Sequence, residues 1–108
     1  MKQIIFTYNW NNKLNCKSFT SLRVSGIYTV GDQYKVMLKE GKDIHAMGVA
    51  EVIAIREFWL HDLNEYVSYL DTGYSVEQCQ QIILRMHPKV DFDNVKLRLL
   101  LLKYVSKN

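Results

Sequence analysis

The fold is decided by a stretch in the middle of the chain, Gly48-Val49-Ala50-Glu51-Val52-Ile53-Ala54-Ile55-Arg56. Its residues have high β propensity and are apolar at nearly every position, with Glu51 as the exception inside the run. Such continuous apolar character is typical of a strand that is covered on both sides. We therefore expect a covered strand over residues 48–56.

Shorter strands are predicted on either side of this stretch. β-branched and aromatic residues predict a first strand over residues 4–8, which ends at the turn-forming amides of residues 9–12. A second extended segment covers Phe19 to Val24, and residues 34–38 alternate apolar and charged side chains as a half-buried strand does. Residues 97–105 predict a closing strand.

Two helices are predicted between the last two strands. Asp62 is the expected N-cap of the first, whose apolar residues recur at helical spacing on one face: Leu63, Tyr66, Val67 and Leu70. The second begins at Ser75, which forms a capping box with Gln78, and it ends before Pro88. The predicted order is therefore four strands, two helices and one strand.

This order predicts a single α+β domain over residues 1–108. It lacks the alternation of strand and helix that builds parallel sheets, so it favours a small mixed sheet or barrel with helices at its side. A length of 108 residues suits one compact domain and excludes a multidomain enzyme. With 48% hydrophobic and 23% charged residues, the composition is that of a folded globule and excludes intrinsic disorder.

No segment resembles a membrane span, a signal peptide or a metal site. The longest apolar run, Leu99–Leu102, is far shorter than the roughly 20 residues that cross a bilayer, so we expect a cytoplasmic protein without a membrane partner. Cys16 and Cys79 belong to no CxxC motif, and Cys79 falls on the apolar stripe of the second helix. His45, His61 and His87 lack ligand spacing, so neither a metal nor another cofactor is expected.

Charge is unevenly distributed along the chain. Residues 13–42 carry six basic and two acidic residues, residues 43–88 carry two basic and seven acidic residues, and residues 89–108 are again basic. If the two basic segments share a sheet, one part of the surface should be positive and attract phosphates, with the acidic segment elsewhere. Charged faces of this kind also serve solubility alone.

The segment whose side chains are best suited to catalysis or binding is Lys17-Ser18-Phe19-Thr20, followed by Arg23. A lysine beside a threonine hydroxyl can stabilise an oxyanion, or it can activate the hydroxyl if its own pKa is depressed. The same residues are equally compatible with a solvated edge strand. In extended backbone Lys17 and Arg23 share one face, and Thr20 points to the other unless the strand bends.

Several motifs in succession resemble the activating signal cointegrator homology (ASCH) family. They are the Lys17 to Arg23 segment, the Gly31-Asp32 turn before a strand, the strand over residues 48–55, and the helical stretch over residues 63–88 with Asp71-Thr72-Gly73-Tyr74-Ser75. The resemblance covers most of the chain. It implies a PUA-like mixed β-barrel of about five to six strands with two helices packed at its side.

The resemblance also implies two functions. Some bacterial ASCH proteins of this size hydrolyse acetylcytidine with a lysine, a threonine and a glutamate. By similarity Lys17, Thr20 and Asp71 take these catalytic positions, although Asp71 is one methylene shorter than the family's glutamate and no glycine precedes Lys17. Asp71 could equally be a carboxylate that accepts backbone hydrogen bonds in a turn.

A binding module is the preferred hypothesis. Its ligand is a nucleoside, a nucleotide or single-stranded RNA in a cleft lined by lysine, threonine and arginine. Four residues are the candidate contacts: Lys17, Arg23, Lys35 and Tyr74. The alternative hypothesis is an amidohydrolase in which Thr20 is the nucleophile, Lys17 the activator and Asp71 the acid and base.

Overall fold

The protein is a curled five-stranded sheet with two helices packed beside it, as described by a computed structural model of residues 1–108. The strands are Gln3–Phe6 (β1), Ser18–Arg23 (β2), Gln33–Glu40 (β3), Asp43–Phe58 (β4) and Leu97–Lys107 (β5). The helices are Glu65–Thr72 (α1) and Val76–Met86 (α2), and short 3₁₀ segments cover Trp10–Asn15 and Leu60–Asp62. The predicted α+β class and the predicted order of elements are confirmed.

The sheet has the strand order β1-β3-β4-β5-β2. β1 runs parallel to β3, and all the other neighbours are antiparallel. β1 and β2 are thus the two edges of the sheet, and its curl brings them together, so that Phe6 and Phe19 meet edge to face with ring centroids 5.9 Å apart. The result is a half-barrel with an open seam between β1 and β2.

β4 is the longest strand and is buried on one side only. Ala50 and Val52 lie fully inside the half-barrel, whereas Ile53 is 40% exposed on the outside. The expectation that other elements cover both sides of this strand is therefore wrong. The reason is that the sheet has a single curled layer, whose main apolar core lies on the concave side and includes Val36, Leu100 and Leu102.

α1 begins later than its apolar spacing predicts. Its N-cap is Asn64, whose side chain accepts a hydrogen bond from the backbone N–H of Val67 at 2.9 Å, whereas Asp62 lies in the preceding 3₁₀ segment. The predicted apolar face is correct only in part, because Leu63 is buried and Val67 packs against an apolar core, whereas Tyr66 and Leu70 are exposed. α1 instead buries a polar face, formed by Ser68, Asp71 and Thr72.

α2 follows the prediction closely. Ser75 and Gln78 form the reciprocal capping box, and the helix ends at His87, directly before Pro88. Its buried residues Cys79 and Ile83 join a second apolar core between the helices and the start of β5. Neither of the two helices, nor any other helical segment, is long and apolar enough to cross a membrane.

We expect the substitution Ser75→Ala to lower the free energy of unfolding by about 1 kcal/mol, because it removes the acceptor for the Gln78 backbone N–H. Urea denaturation measures this loss. Ser106→Ala is the matched control, since that exposed serine on β5 should change stability by less than about 0.5 kcal/mol. Equal midpoints for the two variants would show that the capping box contributes nothing.

The basic segments do share the sheet, but the acidic segment is not separated from them. β4 belongs to the acidic segment and lies between β3 and β5. Its Glu51 is paired with Lys103 of β5 and faces Gln33 of β3. The expected division of the surface therefore fails at β4, because strand order in space differs from order in the sequence.

Candidate ligand-binding cleft

A cavity of about 330 Å³ opens at the seam between β1 and β2 and extends to α2. We call it the seam cleft. β1 and the residues after it form one wall, the end of β2 forms the other, and α2 closes the base with Ile82, Ile83 and Met86. Three charged side chains line it: Lys13, Arg23 and Asp71. The cleft is therefore a mainly apolar site with a few polar groups, as ligand sites usually are.

Arg23 spans the seam from β2 to β1. Its Nε donates a hydrogen bond to Ser21 Oγ at 2.7 Å, and one terminal nitrogen donates to the carbonyl oxygen of Ile5 at 3.2 Å. The guanidinium carbon also lies 4.7 Å from the centroid of the Phe6 ring, a cation–π distance. Burial lowers the pKa of Arg23, but a guanidinium remains charged at any physiological pH.

Lys13 and Asp71 form a buried ion pair at the inner side of the cleft. They are 6% and 2% exposed, and Lys13 Nζ lies 2.9 Å from Asp71 Oδ1. The same oxygen accepts a hydrogen bond from Thr20 Oγ1 at 2.7 Å. Burial lowers the pKa of Lys13, while the attraction of Asp71 opposes that shift. The two charges largely cancel each other inside the protein.

Asparagines in the 3₁₀ segment turn Lys13 inward. Asn11 and Asn12 have φ values of 58° and 54°, a left-handed conformation that asparagine tolerates better than most residues. The Asn11 side chain donates to the carbonyl oxygens of Tyr69 and Leu70, both at 3.2 Å, and so fastens the segment to the end of α1. This attachment brings Lys13 to Asp71 on the same helix.

Aromatic rings flank the mouth of the cleft. Tyr8 and Trp10 stack with centroids 5.1 Å apart and an interplanar angle of 6°. Tyr28 lines the cleft from the loop after β2 and packs against Tyr34, with centroids 5.9 Å apart. Tyr8, Trp10 and Tyr28 line the cleft, and their rings offer flat surfaces on which a planar ligand could stack.

The structure brings Thr20 and Asp71 of the predicted catalytic set into contact, but not Lys17. Lys17 is exposed and lies outside the cleft, and Lys13 occupies the place beside Asp71. The shorter aspartate side chain does reach Thr20, as the 2.7 Å hydrogen bond shows. Thr20 itself is not among the residues that line the cleft, although its hydroxyl contacts Asp71, which does line it.

Of the predicted nucleic-acid contacts, only Arg23 lines the cleft. Lys35 is exposed on β3, and Tyr74 lies between the helices beside a shallow depression with Glu77 and Arg85. Lys13 is a residue of the cleft that the sequence patterns do not indicate. No local signal marks it, because the sequence does not show that two consecutive asparagines adopt left-handed conformations.

Cys79 is the other reactive residue that borders the cleft. It is fully buried, as its position on the helical stripe predicted, whereas Cys16 is exposed. Burial raises the pKa of the Cys79 thiol, although a hydrogen bond with Thr72 opposes that shift. Since the thiolate is the reactive form, Cys79 is not placed to act as a nucleophile at neutral pH.

Tyr104 of β5 holds the 3₁₀ segment in place, because its hydroxyl donates to the carbonyl oxygen of Leu14 at 2.8 Å. Burial raises the pKa of Tyr104 to about 12, from an ordinary value of 10.0. Between pH 10 and about pH 12 the Tyr104 hydroxyl loses its proton in the unfolded chain and keeps it in the folded chain. The stability that this shift contributes is therefore complete below pH 10 and is lost as the pH rises toward 12.

We accordingly expect the unfolding free energy of the wild-type protein to fall more steeply with pH in this alkaline range than that of Tyr104→Phe. At neutral pH the variant should lose about 1 kcal/mol with its hydrogen bond. Urea titrations at several pH values measure both effects. The remaining tyrosines are common to the two proteins, so parallel pH profiles would contradict the role given to Tyr104.

No protein-family model matches the chain, and no curated protein or solved structure matches it either. No group of three or more His, Cys, Asp or Glu side chains is placed to hold a metal ion. What the cleft can bind therefore follows from its shape, its aromatic rings and its charges.

Proposed function

We propose that the protein is a binding module for a nucleotide or single-stranded RNA, and that the ligand occupies the seam cleft. The observation that carries this proposal is the combination, in one cavity, of the Tyr8 and Trp10 rings with the Arg23 guanidinium. Aromatic side chains stack on bases, and arginine binds phosphate. The resemblance of the sequence to the ASCH family favours the same class of ligand.

The charges of the cleft favour binding over catalysis. Asp71 Oδ1 is already engaged within the protein, because it is paired with Lys13 and also accepts a hydrogen bond from Thr20. Thr20, the only hydroxyl group bonded to that carboxylate, lies outside the cleft lining. Arg23 is instead held by neutral acceptors and keeps its full charge for a ligand.

Fluorescence of Trp10 tests the proposal directly. The chain has a second tryptophan, Trp59, which lies away from the cleft and stacks on His61 with centroids 6.3 Å apart. In a Trp59→Phe background, nucleoside monophosphates and short single-stranded RNA should quench the remaining indole as a base stacks near it. The affinity should fall as salt is raised, because phosphate contacts release counterions.

The reciprocal variant Trp10→Phe supplies the control. Its remaining indole, Trp59, should not respond to the same ligands. Trp10→Ala should weaken binding by about 1–3 kcal/mol if a base stacks on this ring. The absence of quenching in the Trp59→Phe protein, at low salt and with every ligand, would refute the proposed function.

A second candidate function is the hydrolysis of an acetylcytidine-type amide. The observation that favours it is the hydrogen bond from Thr20 Oγ1 to Asp71, with Lys13 on the same carboxylate oxygen. In this reaction Thr20 would attack the acyl carbon, and Asp71 would accept its proton and pass it to the leaving amine. Water would then hydrolyse the acyl-threonine ester, which releases the carboxylic acid and restores the Thr20 hydroxyl. Lys13, rather than Lys17, would stabilise the oxyanion.

Turnover of acetylcytidine separates the two functions. A pure binding module gives no hydrolysis above the uncatalysed rate in the wild-type protein. A rate that disappears in Thr20→Ala and persists in Lys17→Ala would instead establish the enzyme, with the lysine that the structure places at the site. Lys17→Ala is a suitable control because that side chain is exposed and lies outside the cleft.

A further inference from the structure

We propose that Arg23 binds a terminal phosphate, so that the cleft takes a nucleoside monophosphate or the phosphorylated end of a strand rather than an internal stretch of RNA. This inference rests on the proposed function and makes the ligand more specific. Three features of the seam support it: the charge of the cleft, the free donors of Arg23 and the size of the cavity.

The cleft carries one positive charge without a partner. Its charged lining residues are Lys13, Arg23 and Asp71, and the first and third of these form an ion pair at 2.9 Å. No carboxylate lies within 4.0 Å of the Arg23 guanidinium, whose hydrogen-bond acceptors are a serine hydroxyl and a backbone carbonyl. Charges away from water are normally paired, so the cleft is suited to an anion.

Arg23 also has donors that the protein does not use. Nε and one terminal nitrogen are engaged, whereas the other terminal nitrogen makes no hydrogen bond. Contact with the Phe6 ring fixes the plane of the guanidinium. A planar, oriented guanidinium with free N–H groups matches the oxygens of a phosphate. The hydroxyls of Thr7 and Ser25 line the same cleft and have no side-chain partner within the protein.

The size of the cleft limits how much of a ligand it can enclose. A volume of about 330 Å³ is at the small end of ligand sites and accommodates one nucleotide. α2 and the apolar residues Leu22, Val24 and Leu97 close the inner side, so a strand could not continue through it. If the base of a nucleotide stacks on Tyr8 or Trp10 at the mouth of the cleft, the phosphate of that nucleotide would point toward Arg23.

Binding of matched ligands to the Trp59→Phe protein tests this inference. We expect nucleoside 5′-monophosphates to bind at least about tenfold more tightly than the corresponding nucleosides, since hydrogen bonds between charged groups are stronger than those between neutral groups. A short RNA with a 5′-phosphate should show the same advantage over its unphosphorylated form. The free nucleotide and the strand end are compared by their affinities at equal salt.

Arg23→Gln should abolish the tighter binding of monophosphates over nucleosides. Nucleosides should still quench the fluorescence of Trp10, and this quenching would show that the variant is folded. Arg23→Lys should restore only part of the tighter binding, because an ammonium lacks the planar set of donors. Arg56→Gln removes the same charge from an exposed site on β4 outside the cleft and should leave the advantage intact.

Three results would overturn the inference without affecting the proposed function. The first is equal affinity for nucleosides and their monophosphates, and the second is an unchanged phosphate advantage in Arg23→Gln. The third is tighter binding of a longer unphosphorylated RNA than of any monophosphate. A complete lack of quenching by nucleosides and nucleotides alike would instead refute the proposed function itself.

Discussion

Asp71→Ala is expected to lower the free energy of unfolding by about 3–5 kcal/mol, because it leaves the Lys13 ammonium buried without its partner. A small domain has a total stability of only about 5–15 kcal/mol, so the loss is a large part of what is available. The Thr20 hydroxyl would lose its acceptor at the same time. Urea denaturation monitored by circular dichroism measures the effect.

The reverse truncation and the double variant give this prediction its control. Lys13→Met leaves the Asp71 carboxylate buried with only the Thr20 hydroxyl and should be destabilising to a similar degree. Lys13→Met combined with Asp71→Ala removes both charges, and removing both members of a buried ion pair costs less than leaving one charge without its partner. The double variant should therefore be more stable than either single variant.

This non-additive result is what distinguishes a buried pair from two independent residues. If the stability losses of the single variants simply add in the double variant, Lys13 and Asp71 do not stabilise each other in the folded protein. If Asp71→Ala does not fold at all, recovery of a folded double variant still supports the pair. An unfolded double variant together with a folded single variant would contradict it.

The sequence predicts the elements of the fold well where local signals are strong. α2 has a capping box at Ser75 and a proline directly after its end, and both of its ends were predicted correctly. The start of α1 is predicted incorrectly, because Asp62 and Asn64 are both good N-cap residues. Which of them caps the helix depends on the 3₁₀ segment that precedes α1. Local residue preferences cannot decide between them.

The candidate site was harder to predict, because three distant parts of the chain form it. The 3₁₀ segment supplies Lys13, β2 supplies Thr20 and α1 supplies Asp71, and only the fold brings these side chains together. Lysine is rarely buried, so a basic residue among asparagines is expected to be exposed. The resemblance to the ASCH family assigns the catalytic lysine to Lys17, but that side chain lies on the surface.

The length of β4 shows a further limit of sequence patterns. The sequence pattern predicts that this strand begins at Gly48, but the strand begins at Asp43 and continues through the glycine. Its pairing with β3 is irregular here, because Val36 faces Gly48 whereas Met37 faces Ala46. A glycine inside a strand indicates such a bulge or a close approach of another backbone, and both occur here.

Gly48→Ala is accordingly expected to lower the free energy of unfolding by about 2–5 kcal/mol, through backbone strain and overpacking. Gly48 has a φ of 146°, which L-residues with a side chain rarely adopt. A Cβ atom there would collide with the carbonyl oxygen of Ser106 and lie 3.0 Å from the Cα of Lys107. Both belong to the backbone of β5, so neither can move without disturbing the β4–β5 pairing.

Gly41→Ala is the control that separates the collision from the unusual dihedral angle. Gly41 also has a positive φ, 60°, but it lies in the turn between β3 and β4 and a Cβ atom would meet nothing within 4 Å. This variant should lose only about 1–2 kcal/mol, the penalty of a left-handed residue with a side chain. Chemical denaturation of both variants gives the comparison. Equal losses would mean that β5 does not approach Gly48 as closely as the structure places it, because the dihedral penalty alone would then account for both.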